Sequence, residues 1–540
     1  MQGADKLTID RRDLMRYTGA AAGTSGLLAL AGCLGGGDDD DDDNGEPGEN
    51  GEDDREIDED AEIEHLTITQ GTEPDTLDPV GHNDTPTWNA ISPAYEPILN
   101  RNRDGDPEPH LAEEFERIDD TTIELTIRQG VMFHSGNEMT ADDVAFSINR
   151  TNDPEVSDQA AVIGDIDEAV ADGDDTVVVN LNSAEAPFFR NISAFGRVME
   201  REWTEARDES EIATEMNGTG PYVLSDYDEA SHVRYEQFDD YWGDEPSVVE
   251  AEFNWTSGEG ERVAALEGGD TDLITNVNPR DVGDVRDHED LRPETEPSIR
   301  NIFLVMPNDS EPFDSVEFRQ AMNYAVDVDA IVDSLLNDFG VATSQPTLEG
   351  HFGHDPSVDP YPHDLEQAEE LVEESGYAGV EIDIHTTTGR YLRDTDVAAT
   401  AAEQIDELSN VTASVTERET QELFDETATG DMADSPDIFL IGWGNPTFDA
   451  NYAMDSWFIE GSPFWHFEDE EIEGLLIEAA GETDQETREG LLQDANRLAH
   501  ERASWVFLHQ QIGIYGINDE LAWEAREDED VRVPEFNLYQ

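Results

Sequence analysis

Pro107-Glu108-Pro109-His110-Leu111-Ala112-Glu113, then Gly130-Val131-Met132-Phe133-His134-Ser135-Gly136, then Thr140-Ala141-Asp142-Asp143-Val144-Ala145-Phe146-Ser147 decide the fold. Between the first two segments, 121–128 alternates, with Ile123, Leu125 and Ile127 on one face. That is the period of a half-buried strand. Thr140 is suited to cap a helix. Asp142 and Asp143 would fall in its positive first turn, and Val144, Ala145 and Ile148 would form its buried stripe.

Upstream, Glu64 to Gln70 alternates as a first strand. Gly71-Thr72-Glu73-Pro74-Asp75-Thr76-Leu77-Asp78-Pro79 is rich in turn residues, and Trp88 to Leu99 reads as a helix. Downstream stand Asn217-Gly218-Thr219-Gly220-Pro221-Tyr222 and Phe238-Asp239-Asp240-Tyr241-Trp242-Gly243. They are followed by Glu261-Arg262-Val263-Ala264-Ala265-Leu266-Glu267-Gly268-Gly269-Asp270 and Phe318-Arg319-Gln320-Ala321-Met322-Asn323-Tyr324-Ala325-Val326-Asp327. From Ile302 on, strands (302–306, 380–387, 411–416, 438–441) alternate with helices (318–336, 394–408). Such alternation is the mark of an α/β sheet.

The order and length of these segments resemble family 5 of the extracellular solute-binding proteins, the receptors of oligopeptide, dipeptide and nickel ABC importers. The resemblance covers about 63–540. It implies a periplasmic-binding-protein-like fold of type II, three-lobed and of cluster C. Lobe I would comprise 63–103, 201–300 and 501–540. Lobe II would be inserted at 104–200, and lobe III would run over 301–500. The two larger lobes would close over a ligand cleft, hinged near 295–301 and 500–510.

The N-terminal stretch bears on location. Arg11-Arg12-Asp13-Leu14-Met15 resembles a twin-arginine export signal. The apolar run Tyr17 to Leu30 is too short and too weakly apolar for a stable membrane span. It ends in Leu30-Ala31-Gly32-Cys33, and Cys33 is the only cysteine of 540 residues. This pattern looks like a lipoprotein processing site, with 1–32 removed and lipid attached to Cys33. Residues 33–62 then form an acidic, disordered tether. The expected location is the extracellular face of the cell membrane.

The formal charge is −102, from 131 acidic and 29 basic residues. A body so acidic repels itself at low salt and is screened in molar salt. We therefore expect an extremely halophilic source, of haloarchaeal type. The acidity excludes nucleic acid as a partner. The 9 Trp, 13 Tyr and 21 Phe exclude disorder throughout.

In open α/β sheets ligands gather beyond the carboxyl ends of strands. Two such ends run into Thr386-Thr387-Thr388-Gly389-Arg390-Tyr391 and into Gly442-Trp443-Gly444-Asn445-Pro446-Thr447-Phe448-Asp449-Ala450-Asn451-Tyr452. The expected ligand contacts are Arg390, Trp443, Asn445, Asp449, Tyr452 and Trp88. The fork of Arg390 suits a carboxylate. In dipeptide receptors of the family an Arg and an Asp at corresponding places hold the peptide's carboxylate and amine, which the resemblance maps onto Arg390 and Asp449. The family pattern often has an Asp where this chain has Asn445-Pro446, so the amine anchor is moved or lost. Trp443 and Trp88 would be stacking walls.

No nucleophile elbow, His-Glu-x-x-His, P-loop or dinucleotide motif is found. His351-Phe352-Gly353-His354-Asp355 hints at a metal only weakly, because its spacing of three falls in a Pro- and Gly-rich stretch that reads better as an exposed loop. We expect no enzyme, cofactor or metal. The protein is instead expected to be a monomeric receptor for a di- or oligopeptide, working with an ABC permease and its ATPase. The alternatives are a nickel chelate or another small solute, a sensor of the same fold, and a secreted hydrolase.

Overall fold

A computed structural model describes residues 55–58 and 61–540. The twin-arginine stretch, Cys33 and most of the acidic tether lie outside the described residues. The chain divides into 1–56 and 57–540, and the second unit holds the elements below.

An eleven-stranded mixed sheet runs through the second unit. Its order is Val411–Glu417, Val380–Thr386, Ile438–Gly444, Leu291–Val305, Trp505–Asn518, Leu273–Ile274, Leu66–Gln70, Glu250–Trp255, His232–Gln237, Tyr222–Asp228, and Gly340–Ala342 pairs beside it with Trp505–Asn518. The two long central strands, Leu291–Val305 and Trp505–Asn518, are antiparallel and join one half of the sheet to the other. Their register shifts between Pro297 and Asn301 and again between Ile302 and Phe303. Pro297 has no N–H to give to the ladder, which suits it to such an irregularity. Every residue of Leu66–Gln70 is buried. It lies between Glu250–Trp255 and Leu273–Ile274, parallel to both, and interior parallel strands are covered on both faces.

A separate antiparallel sheet contains Ala112–Asp119, Thr122–Ile127, Thr176–Leu181 and Ile166–Ala171. The helix Ala141–Thr151 packs on its last two strands. Asp143 Oδ2 accepts from Thr140 N at 2.9 Å and from its hydroxyl at 2.6 Å, closing a capping box. Ile123, Leu125, Ile127, Val144, Ala145 and Ile148 are buried together.

Three large hydrophobic cores follow. The N-terminal core contains residues such as Leu66, Ile91, Tyr222, Phe253 and Trp523. The inserted core spans Ile98 to Val198. The C-terminal core spans Ile302 to Leu508, where Phe303 stacks on Trp505 at 3.6 Å and Trp457 stands edge-on to both. A fourth, smaller core around Val263, Ile274, Ile512 and Ile514 lies along the central strands.

The signature segments are where the first two cores are tied. Glu200 accepts from Ser135 Oγ and Asn137 Nδ2, both at 2.6 Å, and from Asn217 Nδ2 at 2.5 Å. Gly218 and Gly220 press on the backbone of Pro93 and Ala94. A Cβ there would lie 2.0 Å from Ala94 O and 2.5 Å from Pro93 O, so only glycine fits.

Two expected helices differ. The one expected over 88–99 is Thr85–Ile91: Asp84 caps it, Pro86 stands in its first turn, and Pro93 and Pro97 follow its end. The one expected over 318–336 breaks after Val316–Ala325. Asp327 then caps a new start, with its side chain accepting from Ala330 N, and a π-helical turn Ile331–Leu335 follows.

Candidate functional site

The N-terminal and C-terminal cores meet where Glu529 clamps the helix Thr85–Ile91 to the central strand. Arg300 gives Glu529 two hydrogen bonds, at 2.7 and 3.2 Å, and the Thr85 hydroxyl gives a third at 3.2 Å. Burial alone would raise the Glu529 carboxyl, but Arg300 beside it holds it below the ordinary range. Nearby, Asp528 is gripped by Arg101, Arg526 and Arg532. Despite burial, these three cations hold it far below the ordinary range. Arg101 also donates to the Pro446 carbonyl at 2.7 Å. This network fixes the loop 523–536 across both cores.

Against this frame stands a chain of aromatic rings. Trp443 stacks on Tyr452 at 6.0 Å, and Tyr452 stacks on Phe195 at 5.7 Å. Tyr391 lies under two guanidinium groups, those of Arg300 at 5.9 Å and Arg390 at 5.5 Å. Burial raises the Tyr452 phenol to about 12, against a hydrogen bond with the Asn83 side chain. Trp88 carries His82 edge-on at 4.4 Å and Arg197 over its ring at 4.5 Å.

Trp443 Nε1 is buried without a hydrogen-bond partner among the described residues, and Asp84 Oδ2 and both ring nitrogens of His82 make no hydrogen bond of good geometry, although His82 lies against Asp84 and Asp84 against Asp75. His82 Nδ1 lies 3.7 Å from Asp84 Oδ2, too far for a hydrogen bond. Burial pushes His82 down to about 3 despite the Asp78 charge, so its imidazole is neutral and carries one donor and one acceptor. Natural interiors leave few such groups unpaired.

The six residues expected from sequence fall into two sets. Trp88, Arg390, Trp443 and Tyr452 are half-buried around the junction. Among the described residues, no carboxylate is within ion-pairing distance of the Arg390 guanidinium. Asp75, exposed at the rim, feels it from across the junction. The protein crowding around Asp75 and the Asp84 charge raise its carboxyl, and Arg390 pulls it back down.

Asn445 and Asp449 are different. Asn445 is buried. Its amide donates to His351 Nδ1 at 3.2 Å and to the Asp449 carbonyl at 3.1 Å, and its oxygen accepts from Thr447 Oγ1 at 3.0 Å. Asp449 is 0% exposed; Arg488 takes both of its oxygens, at 2.6 and 2.7 Å, and Oδ1 also caps the helix Ala450–Phe458. Both hold the loop in shape. His351 and His354 are engaged likewise, with Glu527 at 3.0 Å and the Thr347 carbonyl at 2.9 Å.

Sequence reasoning missed His82, Asp84, Phe195, Arg197 and Tyr391. Tyr391 lay beside a chosen residue. The others, an acidic, a cationic, an aromatic and an imidazole side chain, had no signal in sequence pattern that set them apart.

The family profile described as bacterial extracellular solute-binding proteins, family 5 Middle, matches residues 106–464. Heme-binding protein A of Haemophilus influenzae is 26% identical over 444 residues, covering 76% of this chain and 80% of that protein. Probable di/tripeptide-binding protein 5 of Pseudomonas aeruginosa is 25% identical over 477 residues, covering 82% and 89%. Among solved structures, the periplasmic binding protein DppA from Helicobacter pylori, in complex with the peptide STSA, superposes with a TM-score of 0.77 at 21% identity, covering 89% of this chain and 99% of that one. That similarity shows the same α/β periplasmic-binding-protein fold. With its profile match covering well over half of its length, including the Trp443 loop, the chain belongs to family 5 of the extracellular solute-binding proteins.

Proposed function

We propose that the chain captures a di- or oligopeptide between its N-terminal and C-terminal cores. It then delivers the peptide intact to an ABC permease driven by a partner ATPase. The three large cores act as lobes I, II and III, and the shifted register at Pro297–Ile302 serves as the hinge. The observation that carries this reading is the junction itself. Aromatic walls there surround buried polar atoms that make no hydrogen bond of good geometry, and Arg390 is free of any described carboxylate.

Closing over a peptide removes water, so each charged end requires a counter-charge. Arg390 takes the carboxylate. With Asp449 already held by Arg488, the amine falls to Asp84 Oδ2 and the rim carboxylate of Asp75.

The receptor works at the extracellular face of the membrane, moored by lipid on Cys33, as a monomer in molar salt. No described helix is long and apolar enough to cross a membrane. Mass spectrometry of the membrane-extracted protein tests the anchor: a lipid-modified N-terminal Cys33 is expected, and an uncut leader contradicts it. Calorimetric titration with peptides in about 3 M KCl tests capture, with the salt chosen to keep the Debye length near 3 Å or below. The engaged state of Asp449 favours one second reading, a small solute without an amine, such as a metal chelate. Binding of such a solute with no binding of any peptide would select it.

A further inference from the structure

The junction holds a second arginine without an ion pair among the described residues, and its hydrogen bonding differs from that of the other buried arginines. Arg197 follows the helix Phe188–Phe195 and is 8% exposed. Its guanidinium lies over Trp88 at 4.5 Å and makes one long hydrogen bond, to the Ser193 carbonyl at 3.4 Å. Among the described residues no carboxylate stands within ion-pairing distance of it. The acidic groups it feels, Asp528 and Asp530, already belong to other cations. Asp528 is held by Arg101, Arg526 and Arg532, and Asp530 by Arg101 at 3.1 Å and Arg532 at 3.2 Å. Burial, with Arg101 adding to it, lowers the Arg197 guanidinium to about 9.

Among the described residues, the buried guanidiniums of Arg262 and Arg319 also lack a close carboxylate, but each gives several hydrogen bonds to backbone carbonyls, whereas Arg197 gives one long one. Arg197 shares the Trp88 ring with His82, whose ring nitrogens make no hydrogen bond of good geometry although they lie against Asp84, and Phe195, two residues away, continues the stack to Tyr452 and Trp443. We propose that Arg197 is a specificity-determining residue of this site and receives an oxyanion of the captured solute, with the His82 N–H as second donor. This rests on the capture reading above and deepens it. With Arg390 taking one anionic group and Arg197 another, the preferred solutes are those with two, such as peptides bearing an acidic side chain. Trp88 fixes the guanidinium plane, and the carboxylate or phosphate supplies the counter-charge that burial demands.

The experiment measures binding of four probes to the whole protein at fixed KCl: Ala-Glu, its neutral match Ala-Gln, succinate and inorganic phosphate. Wild type, Arg197→Gln, Arg197→Lys and Arg390→Gln are compared, with circular dichroism as the check on folding. The expected result is that wild type binds Ala-Glu about 10-fold or more tighter than Ala-Gln, a difference Arg197→Gln abolishes and Arg197→Lys partly restores, as for one charge-assisted pair. Succinate bound with phosphate excluded assigns the pocket to carboxylates; the reverse assigns it to phosphates. Both keep the proposal. Equal selectivity in wild type and Arg197→Gln overturns it, as does a wild type that binds none of the anionic probes. If succinate or phosphate binds through Arg197 while both peptides fail, the peptide reading falls and the Arg197 site stands.

Discussion

Arg488 and Arg197 are both buried arginines, and their surroundings differ in almost every respect. Arg488 is 2% exposed and gives hydrogen bonds to both oxygens of Asp449, to Asn451 Oδ1 at 2.7 Å and to the Ala479 carbonyl at 3.2 Å. Arg197 has a tryptophan face and one stretched hydrogen bond. A fully paired buried charge is strongly destabilising to break, whereas an unpaired one costs the fold something that a ligand can return. The first region therefore holds the Trp443 loop in shape, and the second is placed to read what enters beside it. Asp449, expected from sequence as a ligand contact, lies in the first region.

The largest expected effect treats both regions alike. The body carries most of the −102 charge, and dilution towards ~0.1 M salt lengthens the Debye length to ~10 Å. Circular dichroism should then show one transition that unfolds both regions together. An unchanged spectrum would remove the halophilic reading.

The next separates them. Arg488→Ala leaves the Asp449 charge buried and alone, and should destabilise the protein by about 3–5 kcal/mol in denaturant titration at molar salt. Arg197→Gln strands no carboxylate, because none pairs with it, and should cost clearly less than Arg488→Ala in the same assay. If Arg197→Gln proved as costly as Arg488→Ala, the contrast between them would be lost.

A third sharpens the site without touching the fold. Arg390→Ala should lower affinity for peptides with a free carboxylate about 10-fold or more, from loss of a charge-assisted bond, and spare their amides. Equal loss for both forms would make Arg390 a packing residue.

The smallest concerns pH. Burial raises Glu185, beside the Asp449–Arg488 region, to about 7. Its folded pKa thus lies above the unfolded one, so its stabilisation is complete below about 4.5 and is lost as pH rises through about 7. Glu185→Gln should flatten stability across that window; an unaltered slope would reassign the effect.

How much of this was legible beforehand follows from range. The Thr140–Asp143 cap and the alternation at Thr122–Ile127 are set by neighbours in sequence and could be read directly. Arg390 and Trp443 were chosen because ligands gather at strand ends, and the structure leaves both half-buried at the junction. The pairing of Asp449 with Arg488 could not be read, because the partner lies 39 residues away on another helix. The helix at Thr85–Ile91 was misplaced because Pro86, Pro93 and Pro97 outweigh the apolar pattern. His82 and Arg197 came together only through the meeting of separate segments at Trp88, which periodicity does not encode.

The central claim is that a guest enters the junction and leaves chemically unchanged. The most direct test is calorimetric titration of the mature protein with a di- and tripeptide library in about 3 M KCl, with each peptide recovered and identified by mass afterwards. Saturable binding with the peptide recovered intact is the expected result. Cleaved peptide, or no binding of a solute of any class, would contradict the account.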